Sequence, residues 1–318
     1  MSEYENLLRQ IKSQVPVDES FDLLERKLKI GERDATMFFV DGLVDGDVMQ
    51  RVVASLQGLD KKTVDRAKTA GEFMAYNLAF LDCLLASDMK QGIQFLYSGL
   101  IPLLIDGYDQ IIIIDGRDYP LRSVAEPSKE KSLRGAKDGF VEAMMMNIAL
   151  LRRRIRDNAL IFKIYAVGDV TKTDVALAYM KDRADQDMVK KMDQTLKQLR
   201  LRGLTVTEQT LVEALTGKKL SWCNPFPKVR YSQRPDIIAA HVEEGKLAVI
   251  VDNSPTVILL PAGIFDFLQD IDDYYFPLLT GNYFRFLRIL NIFVILFATP
   301  VYLLFAEGDI PVNEALRF

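Results

Sequence analysis

One histidine, two cysteines and one tryptophan among 318 residues leave little material for several common chemistries. Cys83 and Cys223 are far apart, and neither has a second Cys or a His at ligand spacing. A disulfide framework and a zinc site are therefore unsupported, and a reducing compartment fits the chain best. The single histidine, His241, follows Ala239 and Ala240 and precedes Glu243 and Glu244. No partner for a triad or a metal adjoins it, so it reads as a solvated or capping helix residue.

An excess of basic charge is also missing. The 40 Lys+Arg against 44 Asp+Glu give a net charge of -4, which provides no general attraction to nucleic acid. The N-terminus lacks the basic-then-apolar order of a secretion signal, so the soluble part is expected in the cytoplasm. There is no Walker-type loop or dinucleotide fingerprint. The run Arg134-Gly-Ala-Lys-Asp-Gly139 has two glycines and precedes a helix rather than following a strand.

What the sequence does have is one long uncharged run, Ile289 to Ala306, against the roughly 20 apolar residues needed to span a bilayer. Arg285 and Arg288 precede it and Glu307 and Asp309 follow, which places the preceding region on the cytoplasmic side. Within the run, Asn291, Thr299 and Pro300 are unusual for a purely lipid-facing anchor, because unpaired polar groups are costly in hydrocarbon. A buried core helix is the alternative reading.

The rest of the chain alternates short strands and helices, an α/β or α+β pattern in two lobes. Residues 1–20 show no sustained period and are expected to be a mobile lead-in. A first lobe is expected over 21–158, a second over 159–280, and the membrane segment over 281–318. In the first lobe Ala35 to Val40 reads as a strand ending at Asp41-Gly42. Asp45 to Leu56 and about Gln91 to Gly99 read as helices, and Ile101 to Ile105 with Gln110 to Ile114 as a hairpin. A helix from Asp138, with Glu142 near its start, carries Val141, Met144, Met145, Ile148, Leu151 and Ile155 at helical spacing and is expected to bridge the lobes. In the second lobe the expected strands are Ile161 to Val167, Asp174 to Met180, Leu204 to Val206, Lys246 to Val251 and Val257 to Leu260. The expected helices there are Asp187 to Leu201, one capped by Thr205 and Glu208, and one opened by Pro235.

Two side-chain patterns could carry chemistry. Asp41, Asp106, Asp115 and Asp252 stand at strand ends, where carboxylates can hold magnesium or act as nucleophiles. Three of them precede Gly directly and the fourth precedes Asn-Ser-Pro, which is also the chemistry of turns. Arg152, Arg153, Arg154 and Arg156 crowd a helix C-terminus. The helix dipole accounts for one or two of them, and the rest imply carboxylate partners across the lobe junction or a subunit contact.

Several motifs together resemble the A subunits of GerA-type spore germination proteins over Phe21 to Phe305. They are Asp41-Gly-Leu43, Arg134-Gly-Ala-Lys-Asp-Gly-Phe140, Asn147 with Leu151-Arg-Arg-Arg-Ile-Arg-Asp157, Tyr231-Ser-Gln-Arg-Pro-Asp236 and Asp272-Asp-Tyr-Tyr-Phe-Pro277. Ser232-Gln233 stand where the family usually has Thr-Glu. The resemblance implies a spore inner-membrane protein whose two-lobed cytoplasmic domain precedes a helical bundle, of which the run at Ile289 is the first, the bundle being truncated here. It further implies a non-enzymatic homo-oligomeric ion channel that acts with a small membrane partner and germinant receptor subunits, with no cofactor. A ligand-sensing or protein-interaction module that relays a germinant signal is the alternative. The motifs nominate Arg134, Asp138, Glu142, Arg152, Arg153, Arg154, Arg156, Arg234 and Asp236 as interface or structural residues, and Asn291 and Thr299 as polar groups of the span.

Overall fold

The structure is a computed structural model that describes residues 3–78, 82–118, 137–168, 172–199, 211–212, 229–263 and 278–306. Arg134, the stretch at Thr205, the strand expected at Leu204 and the Asp272 motif lie outside the described residues. The rest form a mixed α/β molecule with two antiparallel five-stranded sheets.

The N-terminal stretch departs from expectation. Helix α1, Glu3–Gln14, is not a loose lead-in: Ile11 and Val15 are buried, and Lys12 pairs with Glu25 at 2.6 Å. Tyr4, Leu7, Leu8 and Ile11 stand at i, i+3, i+4 and i+7, the spacing of one helix face, and pack into the same cluster as Leu23, Phe38 and Val40, so a helical period is present in the sequence here. The first sheet begins with β1, Leu23–Ile30, and β2, Arg33–Val40, joined by a tight turn at Gly31, whose φ of 61° suits glycine. Helix α2, Gly46–Gln57, is capped by Asp45, whose carboxylate accepts from the Asp47 and Val48 N–H groups, and it buries Met49, Val52, Val53 and Leu56. Short helices α3, Lys61–Arg66, and α4, Ala70–Asn77, follow, capped by Asp60 and Thr69. Strand β3, Cys83–Leu85, helix α5, Met89–Tyr97, and the hairpin β4, Ile101–Ile105, with β5, Ile112–Ile114, complete the order β1-β2-β4-β5-β3. Every described ladder in it is antiparallel.

Helix α6, Met144–Arg154, starts six residues later than the apolar spacing predicts. The Asn147 side chain folds back onto the Val141 N–H and C=O, and Phe140 N–H donates to Gln233 O, so residues before Met144 are tied up in loop bonds instead. Met144, Ile148 and Leu151 pack with the second sheet, while Ala149 joins a cluster with Leu43, Phe38 and Leu96 of the first region.

The second sheet has the order β6-β7-β9-β10-β8: β6, Leu160–Val167; β7, Thr173–Met180; β8, Arg230–Ser232; β9, Leu247–Val251; β10, Val257–Leu260. Helix α7, Gln186–Gln198, covers one face, burying Val189 and Leu196. Helices α6 and α8, Pro235–Glu243, cover the other. The central strands β7 and β9 are apolar on both sides because both faces are covered.

Helix α9, Leu278–Ala306, is the exception to burial. Within it Thr280–Leu304 is long and apolar enough to cross a membrane, with mean hydropathy 2.0 and none of its apolar window buried. Val294, Ile295, Leu296 and Phe297 are half exposed or more, so the helix is not part of a core formed by the described residues.

Candidate functional site

The densest polar site lies where α6 ends. Arg152 and Asp22 are both fully buried, and their carboxylate–guanidinium contacts are bidentate: Nε to Oδ2 at 2.7 Å and Nη2 to Oδ1 at 3.0 Å. The remaining donors are used as well, Nη1 on Asp157 O at 3.1 Å and Nη2 on Leu160 O at 3.0 Å. Ser20 completes the network, donating from Oγ to Asp22 at 2.6 Å and accepting from Phe162 N–H at 2.9 Å. The guanidinium also lies over the rings of Phe162 and Tyr97, 5.1 and 5.5 Å from their centroids. A buried charge survives only when paired and fully bonded, and this one is. It ties the start of β1 to the end of α6 and the start of β6.

The other nominated arginines sit outside this core. Arg154, partly exposed, reaches Asp138 through Nη2 at 2.5 and 2.7 Å. Arg156 is exposed; its Nε donates to Arg153 O, capping α6, and its Nη1 to Ser98. Arg153 is exposed beside it. Glu142 lends its backbone C=O to Asn253 N–H. Arg234 and Asp236 lie apart from the α6 terminus, at the N-cap and in the first turn of α8. Arg234 is fully buried and bidentate to Asp236 at 3.0 and 2.6 Å, and Asp236 also accepts its own helix-start N–H from Ile237.

His241 corrects the reading of a solvated helix residue, because it is fully buried. Its Nε2 lies 3.0 Å from Arg230, and its Nδ1 lies 3.0 Å from Glu244 and 3.3 Å from Lys246. Burial, with Lys246 and Arg230 adding to it and Glu244 opposing, pulls its pKa below the ordinary histidine value. Its apolar neighbours in sequence, Ile237, Ile238 and Val242, are the buried face of α8, and His241 shares that face four residues after Ile237.

The strand-end aspartates act in turns and caps. Gly42 has φ 81° and a Cβ there would meet Ala149 at 3.1 Å; Gly107 has φ 90°. Asp115 is held by Arg117, whose side-chain hydrogen bond lowers its pKa. Asp252 accepts from Met144 N–H at 3.2 Å and so caps α6, whose own N-cap position, Ala143, supplies no side-chain bond. Burial pushes the Cys83 thiol up to about 11, the reverse of an activated nucleophile. Among the described residues no group of three His, Cys, Asp or Glu could hold a metal. Asp22 and Ser20 carry the central network yet have no local sequence signal; only the need of Arg152 for a carboxylate points toward them.

Comparison with known proteins agrees with the motifs. Stage V sporulation protein AF of Bacillus subtilis is 33% identical over 307 residues, covering 96% of this chain and 62% of that protein. Spore germination protein KA of the same organism is 29% identical, covering 90% of this chain and 52% of that protein. The chain thus spans between half and two thirds of the length of these relatives. The crystal structure of the N-terminal domain of the A subunit of the Bacillus megaterium spore germinant receptor GerK3 is similar at TM-score 0.60 and 27% identity, covering 81% of this chain and 94% of that one. Residues 9–315 match the family described as Bacillus/Clostridium GerA spore germination protein, and the chain belongs to that family.

Proposed function

We propose that the intact protein is a subunit of an oligomeric, ion-conducting assembly in the spore inner membrane that promotes ion release during germination. In this reading the two-sheet region faces the cytoplasm and the assembly engages a small membrane partner and germinant receptor subunits. The carrying observation is α9, an exposed apolar helix that nevertheless holds Asn291 and Thr299, in a member of a germination family. Polar groups in a membrane helix favour protein or water as neighbours, which a bundle around a conduit supplies. In this reading the polar groups are structural: His241 is buried in a polar cluster, and the strand-end aspartates serve turns and caps. Ion flux through liposomes carrying the full-length protein tests the reading. Flux above protein-free vesicles is expected, and a closed bilayer with every germinant and partner added would overturn it.

A relay role is favoured by one finding, the likeness to a domain whose parent is a germinant receptor. Calorimetry of the chain against germinants should then give a heat of binding that Arg152 or Asp22 variants alter. Silence with every germinant rejects it.

A further inference from the structure

The two long edge strands of the molecule are treated differently. β1 carries Arg26, Lys27 and Lys29 exposed along its length, the charge pattern that protects an edge from pairing. β6, the outer strand of the second sheet, carries a single Lys163 and leaves Ile164 at 42% exposure with Ala166 exposed beside it. The direction of its backbone groups follows from one contact. Phe162 N–H donates to Ser20 Oγ and Phe162 C=O accepts from Phe21 N–H, so residue 162 faces away from β7. Antiparallel alternation then turns the N–H and C=O of Ile164 and Ala166 outward too. Among the described residues no partner takes the outward N–H of either residue.

The usable window is bounded at both ends. At Phe162 the outward groups are taken by Ser20 and Phe21. After Val167, Gly168 turns the chain away with φ 99°. The free stretch is Lys163 to Val167, with Tyr165 at its midpoint. An antiparallel partner of the same sequence centred on Tyr165 sets Ile164 opposite Ala166 of the second copy, and Lys163 opposite Val167. Outward-facing residues then meet outward-facing residues, so the ladder closes in register. The large Ile164 meets a small Ala166, and the two lysines do not face each other.

We propose that the β6 edge is a self-association surface, on which a second copy of this chain adds its own β6 antiparallel across a two-fold axis at Tyr165, joining two five-stranded sheets into one. It rests on the oligomeric part of the proposed function and not on ion conduction. A chain that self-associates but carries no ions would sink the conduction reading while leaving this one intact.

The test uses the full chain in detergent, with Cys83 and Cys223 replaced by alanine. Mixing Ile164→Cys chains with Ala166→Cys chains under mild oxidation should give a disulfide-linked pair at least about tenfold more abundantly than either variant alone, since only the mixed pair is directly opposed. Equal yields in all three samples, or none in the mixture, would overturn the pairing. Independently, Ile164→Lys should raise the dissociation constant of the pair at least about tenfold while leaving the melting temperature unchanged at dilutions where both proteins are monomeric, because the side chain is already exposed. An association unmoved by Ile164→Lys, or a wild type that is monomeric at every concentration, would equally overturn it.

Discussion

Arg152 and Arg234 are the largest fully buried side chains described, and the energetics of the Arg152 pair are asymmetric. Removing one member of a buried pair leaves the other charge uncompensated, which costs about 3 to 5 kcal/mol, whereas replacing both by apolar residues is often neutral. Asp22→Asn should therefore destabilise by about 3 kcal/mol, toward the lower end because Asp157 O and Leu160 O still hold the guanidinium. The double variant Asp22→Leu with Arg152→Met should lie well above Asp22→Asn in thermal unfolding. If the double variant melts no higher than the single, the pair is not the source of the cost. His241 gives a second residue-scale expectation. Its folded pKa lies below the unfolded value of about 6.5, so the unfolded chain binds the proton more readily. The stability contributed by the neutral ring is fully present above pH 6.5 and is lost as pH falls through the folded pKa. Burial sets the direction, and the charged neighbours add to it: a protonated ring would stand beside Lys246 and Arg230, with Glu244 opposing them. Melting temperatures between pH 7.5 and 5 should fall more steeply for the wild type than for His241→Gln, and parallel curves would show that the ring does not titrate in that window.

At the scale of elements, α6 depends on a cap from another part of the chain. Its own N-cap, Ala143, has no side-chain acceptor, and Asp252 at the end of β9 supplies one. Asp252→Ala should cost about 1 kcal/mol, with Asp252→Asn costing less because asparagine also caps. If neither substitution moves the unfolding midpoint, the contact contributes nothing. This element also marks what the sequence can and cannot reveal. The cores of β2, β4, β6, β7, β9 and β10 and the helices α2, α5, α7 and α8 were legible because their apolar runs have the right period and clear stops, such as Asp45 before α2 and Pro235 at the start of α8. The start of α6 was not, because Val141 sits at helical spacing while its backbone is taken by the Asn147 side chain. Strands β3 and β8, three residues each, are too short to show alternation. Helix α1 does carry a helical period, Tyr4, Leu7, Leu8 and Ile11, but the stretch around these residues is short and mostly polar, and a lead-in was expected there instead. Of the site, the arginines were visible as a cluster, while their partners Asp22 and Asp138 come from distant positions that only folding brings together.

For the whole molecule the decisive feature is the contrast between two sheets with closed cores and a helix with none. An exposed apolar helix of this length is long and apolar enough to cross a membrane, and its surface gains free energy from any apolar neighbour, lipid or protein. An anchor and a conduit-lining helix differ in what they ask of their side chains, so two substitutions separate them. Phe293→Asp together with Leu296→Asp places charge near the middle of the span at a cost of about 2.5 to 3.5 kcal/mol each, and should release residues 1–318, expressed alone, from membranes washed with alkaline carbonate. Retention of that double variant would mean the helix does not insert. Asn291→Leu makes the helix more apolar, so insertion should be unchanged or firmer, whereas a role in lining a conduit predicts a loss of flux. Ion flux by the full-length Asn291→Leu protein should then drop severalfold at equal membrane content. Flux equal to the wild type would leave α9 as an anchor, with conduction, where present, assigned to other parts of the assembly.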